Sequence, residues 1–272
     1  LNDIDDAIAD VHYIKEHNLR GGILLPNIPP DCKHVRPLWD PEYDRLWKVI
    51  EDLEIPINAH GGTGNPDYGR YAATPMLLMN EVPFYSQRPL VYLIISGVFQ
   101  RFPRLKFVMT ELGGAWIPGL LRDLDTMMEN VRSGSIGELK YRAEDAIEGT
   151  ATDYFHQNVW LGASQPGPAE ARVALDFIAE DRFMWGSDYP HDEGTGPFTR
   201  EHLRQVFSDW DEARMRKILA GNAAALYGFD LDALAPIAAQ YGPTVDEIRQ
   251  PLTELPENAN MALRRGERGK AA

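Results

Sequence analysis

Short apolar runs alternate with amphipathic helical stretches along most of this chain, and that alternation constrains the fold more than anything else in the sequence. Five runs read as strands: 23–26 (ILLP), 55–59 (IPINA), 105–111 (LKFVMTE), 158–163 (NVWLGA) and 182–187 (RFMWGS). They are short and almost continuously apolar, as strands buried on both faces are. Between them lie segments of helical period. One is predicted to start at Asp40-Pro41, with Asp40 as N-cap and Tyr43, Leu46, Trp47, Ile50 and Leu53 as its buried face. Others are predicted at 3–18, 87–101, 168–180, 199–207, 211–219 and 231–241, and around a stripe of Trp116, Leu120, Leu124, Met127 and Val131. Residues 133–153 read as an inserted loop and 264–272 as a frayed polar tail. Strands separated by helical crossovers are parallel, so the chain is predicted to be α/β.

Two architectures satisfy this pattern, a doubly wound open sheet and part of a β/α barrel. The positions of the polar residues separate them. His60, Glu111, Ser164 and Asp188 each fall at the C-terminal end of a predicted strand. A barrel gathers its strand ends around one mouth, where such residues converge. A dinucleotide-binding sheet would need a G-x-G-x-x-G turn after its first strand, and GGTGNP after His60 lacks that spacing. A partial barrel over 1–242 with a C-terminal extension over 243–272 is the reading favoured.

Composition removes several functions. With 27 Lys+Arg against 41 Asp+Glu, the formal charge of −14 offers no basic face to nucleic acid. A single cysteine, Cys32, excludes a disulfide framework, fits a reducing cytoplasmic compartment and has no partner histidine in a nucleophile motif. No apolar run is long enough to span a membrane. A small-molecule substrate is therefore expected.

The strand-end residues carry the chemistry. His60, followed by two glycines, presents an imidazole where backbone can approach closely; it suits a metal ligand or a loop-start hydrogen bond. Asp188, just past FMWG, is a carboxylate that must be paired or bind something. It could bind a divalent metal, act as a base, or cap the turn before Pro190. Glu111 ends a buried strand and fits either a salt bridge or an acid–base role; with Asp188 it could form a glycosidase-like carboxylate pair without metal. His191 lies in the loop after Asp188 and could line a pocket. His12, His17, His34, His156 and His202 show no ligand spacing and read as surface or helix-face residues.

The same residues carry a resemblance. PINAHGG (56–62), SGVFQRFPRLKFVMTELGGAWIP (96–118), FMWGSDYPH (183–191) and ILAGNAAALYGFD (218–230) resemble the amidohydrolase-related (aminocarboxymuconate-semialdehyde decarboxylase-like) family of metal-dependent TIM-barrel enzymes, over about residues 10–230. The resemblance implies a (β/α)8 TIM barrel of which strands four to eight are present here. It implies that His60 and Asp188 are metal ligands and that Asp188 and Glu111 are catalytic. It implies a divalent metal, zinc foremost with manganese or iron as alternatives. Two departures stand out. The family's H-x-H or E-x-H motif of strand one does not occur, and residue 1 is Leu, so strands one to three are expected upstream of Leu1. Where the family often has a histidine at the end of strand six, this chain has Glu111, which can shuttle a proton but cannot act as a cationic electrophile.

The implied chemistry is hydrolysis through a metal-activated water or non-oxidative decarboxylation of a small carbonyl or carboxylate compound. Arg70, Arg88 and His191 are the expected substrate-binding groups, since an acidic protein must attract an anion locally. The competing expectation is a catalytically degenerate barrel serving as a scaffold or partner-binding module. An open sheet edge would also favour a homo-oligomer.

Overall fold

The computed structural model describes residues 1–134, 136–138 and 141–268. Its five strands are β1 (Ile23–Leu24), β2 (Ile57–His60), β3 (Phe107–Thr110), β4 (Val159–Ser164) and β5 (Phe183–Gly186). All three described pairings, β1 with β2, β2 with β3 and β4 with β5, are parallel. The α/β expectation therefore holds, and each strand falls on a run read as a strand from the sequence, with β2 and β4 reaching one residue further, to His60 and Ser164. The chain divides into two compact units, the first made of Leu1–Leu112 and Trp116–Trp160, the second of Gly113–Ala115 and the residues from Leu161 onward.

The first unit holds β1 to β3 with helices α1 (Ile4–Glu16), α2 (Asp44–Asp52), α3 (Thr74–Ile95), α4 (Val98–Arg101), α5 (Ile117–Ser133) and α6 (Ala151–Asn158). Asp40 caps the turn into α2 as expected, accepting from the Glu42 amide at 3.0 Å with Pro41 behind it. The core of this unit is built from Tyr43, Trp47 and Ile50 around α2, Ile57 and Phe107 on the strands, and Leu90, Leu93 and Phe99 beyond them, all fully buried. β3 is buried at three of its four positions, which explains why its sequence shows no alternation.

Three local expectations are corrected here. The helix predicted over 87–101 is two helices. It begins at Thr74 and breaks at Gly97, whose φ of +72° lies in the left-handed region that ends helices. The buried face of α5 is Ile117, Leu121, Leu124 and Met128, one step round from the expected stripe. Pro118 sits in its first turn and Trp116 stands at the N-cap, its Nε1 donating to the Leu112 carbonyl at 2.8 Å, so Met127 is left exposed. Within the expected 133–153 loop, α6 begins at Ala151 through a Thr150–Asp153 capping box; residues 135, 139 and 140 lie outside the described residues.

The second unit holds β4 from Leu161 onward and β5, with α7 (Pro168–Phe177), α8 (Thr199–Phe207), α9 (Glu212–Arg216), α10 (Asn222–Tyr227), α11 (Leu231–Tyr241), α12 (Val245–Ile248) and α13 (Met261–Arg268). Phe183, Phe207, Met215 and Ile218 fill its core. Of the polar tail expected at 264–272, residues 264–268 continue α13, which buries Ala262 and Leu263; residues 269–272 lie outside the described residues. Among the described residues no helix is long and apolar enough to cross a membrane.

Candidate metal-binding and acid–base residues

In the first unit, strand register brings two candidate side chains to one place. His60 pairs with Thr110, so Glu111 is the first residue past the end of β3 and stands beside the imidazole. Glu111 adopts φ +59°, a left-handed conformation uncommon for a residue with a side chain. Gly61 allows the close approach, because a Cβ there would stand 2.9 Å from the Glu111 carbonyl oxygen. The result is a contact of 2.7 Å between His60 Nε2 and Glu111 Oε2.

The tautomer of His60 follows from its other nitrogen. Nδ1 lies 2.8 Å from the Gly61 carbonyl, which can only accept, so Nδ1 carries the proton. Nε2 of the neutral ring then turns a lone pair toward a carboxylate oxygen. That arrangement is repulsive unless a proton or a cation is shared by the two atoms. A ring N–H held by a carbonyl is also the usual way in which a ligating histidine is oriented. Two donors bound to one divalent ion at about 2.1 Å and at right angles stand roughly 3 Å apart, so the separation fits a metal as well as a proton.

The loop after His60 is stitched down. Thr63 Oγ1 donates to the His60 carbonyl at 3.2 Å, and the Gly62 amide donates to the buried Ser86 Oγ at 3.0 Å. Asn27, also buried, donates through Nδ2 to the Tyr85 carbonyl. Of the two expected substrate-binding arginines, Arg70 is exposed in this loop. Arg88 lies over the Tyr85 and Tyr92 rings, 5.3 and 5.2 Å from their centroids.

In the second unit the register is repeated. Ser164 pairs with Gly186, and the Gln165 amide continues the ladder to the Gly186 carbonyl at 2.8 Å. Asp188 follows two residues later with φ +62° and a side chain only 6% exposed. A carboxylate so buried must be compensated. Gln165 Nε2 donates to Oδ2 at 3.0 Å, and His191 Nδ1 lies 3.0 Å from Oδ1. Glu193 joins them: Asp188, His191 and Glu193 each bring a ligand atom within 4.8 Å of the others. The loop folds back on itself, with the Thr195 amide donating to the Ser187 carbonyl at 2.8 Å. Gly194 is required there, since a Cβ would meet the Asp188 and Ser187 carbonyl oxygens at 2.7 and 2.9 Å. Asn260 clamps the loop from the C-terminal segment, donating to the Gly194 and Gly196 carbonyls at 2.7 and 3.2 Å.

A family model described as Amidohydrolase matches residues 6–229. The chain belongs to the amidohydrolase family. The resemblance read from its motifs is thereby borne out, and the family is one of metal-dependent TIM-barrel enzymes. The amidohydrolase chain is 24% identical over 216 residues to the gamma-resorcylate decarboxylase of Polaromonas sp. strain JS666, covering 76% of this chain and 61% of that protein. It is similar in fold to the 5-carboxyvanillate decarboxylase of Sphingomonas paucimobilis, with a TM-score of 0.64, 22% identity, and 84% and 64% of the two chains covered. A dihydroxybenzoic acid decarboxylase of Polaromonas sp. JS666, solved with bound manganese and the inhibitor 2-nitroresorcinol, gives a TM-score of 0.62 at 18% identity, covering 84% and 66%. The chain spans about three-fifths of the length of the curated relatives it matches.

The sequence reading of this amidohydrolase singled out His60, Glu111, Asp188 and His191 and passed over Gln165, Glu193 and Asn260, which the structure places beside Asp188 or on its loop. It also placed His202 on a helix face or the surface. The imidazole is instead fully buried on α8, 6.2 Å from the Trp185 ring, and burial pushes its pKa down to about 4. The Gln165 and Pro166 backbone pulls the other way, though neither ring nitrogen has a hydrogen-bond partner among the described residues.

Proposed function

We propose that this amidohydrolase chain belongs to a metal-dependent, non-oxidative decarboxylase of small hydroxylated aromatic carboxylates. The observation that carries the reading is the 2.7 Å His60–Glu111 contact, in which Nε2 and a carboxylate oxygen face one another and require a shared proton or cation. The named relatives, gamma-resorcylate and 5-carboxyvanillate decarboxylases, support decarboxylation over hydrolysis and suggest the substrate class.

In this proposal His60 and Asp188 are the metal ligands, with Glu193 as a further donor beside Asp188. Imidazole and carboxylate without thiolate suit manganese, iron or zinc. Manganese in a solved relative supports that ion, and zinc remains the alternative. When bound, the ion would supply a Lewis acid that stabilises negative charge on the substrate's oxygens. Glu111 does the proton work. Its carboxyl, 2.7 Å from His60 Nε2, delivers a proton to the ring carbon bearing the carboxylate. The carbon–carbon bond to the carboxylate then breaks, its electron pair restores the aromatic ring, and carbon dioxide leaves. Glu111, now an anion, regains its proton from water, to which its side chain is 25% exposed. Arg70, Arg88 and His191 are proposed to attract the anionic substrate.

The finer fold reading belongs to the same proposal. Strands β1 to β5 correspond to strands four to eight of a (β/α)8 barrel, residues 1–242 make up the barrel part and 243–272 an extension. Coverage of 84% of this chain but 64% of a solved relative supports it. A reducing, cytoplasmic setting is proposed from the single Cys32.

The test is release of carbon dioxide from 2,6-dihydroxybenzoate or 5-carboxyvanillate with added Mn²⁺. Turnover lost in Glu111→Gln is the expected result. Turnover unchanged in that variant would remove Glu111 from the chemistry.

A further inference from the structure

Gln165 combines four properties that are unusual together. It follows β4 directly, in Ala-Ser-Gln-Pro-Gly, with φ +44° in the left-handed region. It is 7% exposed. Its Nε2 donates to Asp188 Oδ2 at 3.0 Å. Its Oε1 is buried with no hydrogen-bond partner among the described residues. Flipping the amide would set Oε1 against a carboxylate oxygen, so the nitrogen is the atom that faces Asp188. A left-handed backbone and a buried carbonyl without a partner both disfavour glutamine here. Neither cost serves the β4–β5 ladder, which needs only the Gln165 amide.

We infer that Gln165 is a positioning residue for Asp188. Its side-chain amide pins Oδ2, so that Oδ1 is the single oxygen offered to a divalent cation. His191 Nδ1 lies 3.0 Å from Oδ1, so a cation would take the place of that contact while Gln165 keeps its own. The donor–acceptor geometry thus sets a monodentate carboxylate and prevents Asp188 from turning both oxygens to the ion. The inference rests on the proposed role of Asp188 as a metal ligand, and the experiment separates the two.

The 272-residue chain is titrated with Mn²⁺, following the free-ion signal by electron paramagnetic resonance, for the wild type, Asp188→Ala, Gln165→Met and Gln165→Leu. Methionine keeps the length and volume of glutamine but donates nothing, so a packing role alone leaves Gln165→Met like the wild type. The expected result is Mn²⁺ binding weakened about 10- to 100-fold in Gln165→Met, with a changed bound-Mn²⁺ line shape as the carboxylate rotates and a melting temperature close to that of the wild type. Gln165→Leu reports the same loss should the methionine variant fail to fold. Weakening in Asp188→Ala with Gln165→Met and Gln165→Leu unchanged overturns the positioning role and leaves the metal site standing. No saturable binding by the wild type, or binding indifferent to Asp188→Ala, overturns the metal-site reading and this inference with it.

Discussion

His60 Nε2 stands 2.7 Å from Glu111 Oε2, while Nδ1 of the same ring is spent on the Gly61 carbonyl. The carbonyl fixes the tautomer, and the tautomer decides what the pair can do. A neutral imidazole in this orientation cannot donate to Glu111, so something positive must lie between them. Glu111→Gln keeps the size and shape of the side chain but has no proton to give. The expected outcome is a soluble protein with decarboxylation reduced at least about 100-fold, the lower range of a general acid. Rates of carbon dioxide release on either relative's substrate check it, and a loss smaller than about fivefold would assign the proton to another group.

Removal of divalent metal is the second prediction. A ligand that binds only the folded state stabilises it by about 2.7 kcal/mol at one hundred times its dissociation constant. Excess chelator is therefore expected to abolish turnover and lower the melting temperature, and Mn²⁺ to restore both in a concentration-dependent way. Activity that survives exhaustive chelation would instead favour metal-free carboxylate chemistry.

How much of this was legible in the sequence depends on how local each constraint is. His60, Glu111 and Asp188 stood out because each ends an apolar run, and a polar residue at a strand's C-terminal end needs only strand boundaries to be placed. Gln165 and Glu193 were not legible. Their roles depend on left-handed turns at Gln165 and Asp188 and on the Ser164–Gly186 register, none of which has a one-residue signature. Asn260 reaches its loop across 64 to 66 positions of sequence. The α5 face was misplaced because Trp116 looks like the first buried helical residue but stands outside the helix, its indole held by Leu112. His202 was misread because histidine at helical spacing does not declare burial.

His202 gives a pH prediction. Its folded pKa is lowered to about 4 from an ordinary value of 6.5, chiefly by burial. Between those values the unfolded chain binds a proton that the folded chain does not, so stability is complete above about pH 6.5 and declines as pH falls toward 4. The full span amounts to about 3 kcal/mol as an upper bound, at 1.36 kcal/mol per unit. His202→Phe, which keeps an aromatic ring near Trp185, is expected to flatten the dependence of the urea midpoint on pH over this window. An equally steep decline in the variant would move the proton uptake to another site.

Asn260 ties the C-terminal segment to the loop that carries Asp188, His191 and Glu193. Its two donated bonds end on Gly194 and Gly196, on either side of the Thr195 amide that closes the loop onto Ser187. Asn260→Ala leaves both carbonyls to water and releases the loop without touching any ligand. At about 1 kcal/mol net for each bond, up to about 2 kcal/mol of loop order is lost, which corresponds to Mn²⁺ binding weaker by about fivefold to thirtyfold. The core of α13, Ala262 and Leu263, remains buried, so the melting temperature should fall by only a few degrees. Amide exchange is the complementary measurement: protection at Thr195 and Gly194 should drop in the variant while Leu161 on β4, whose amide donates to the Arg182 carbonyl, keeps its own. Unchanged exchange at Thr195 together with unchanged Mn²⁺ affinity would show that the loop holds its shape alone, and that the C-terminal segment merely rests against it.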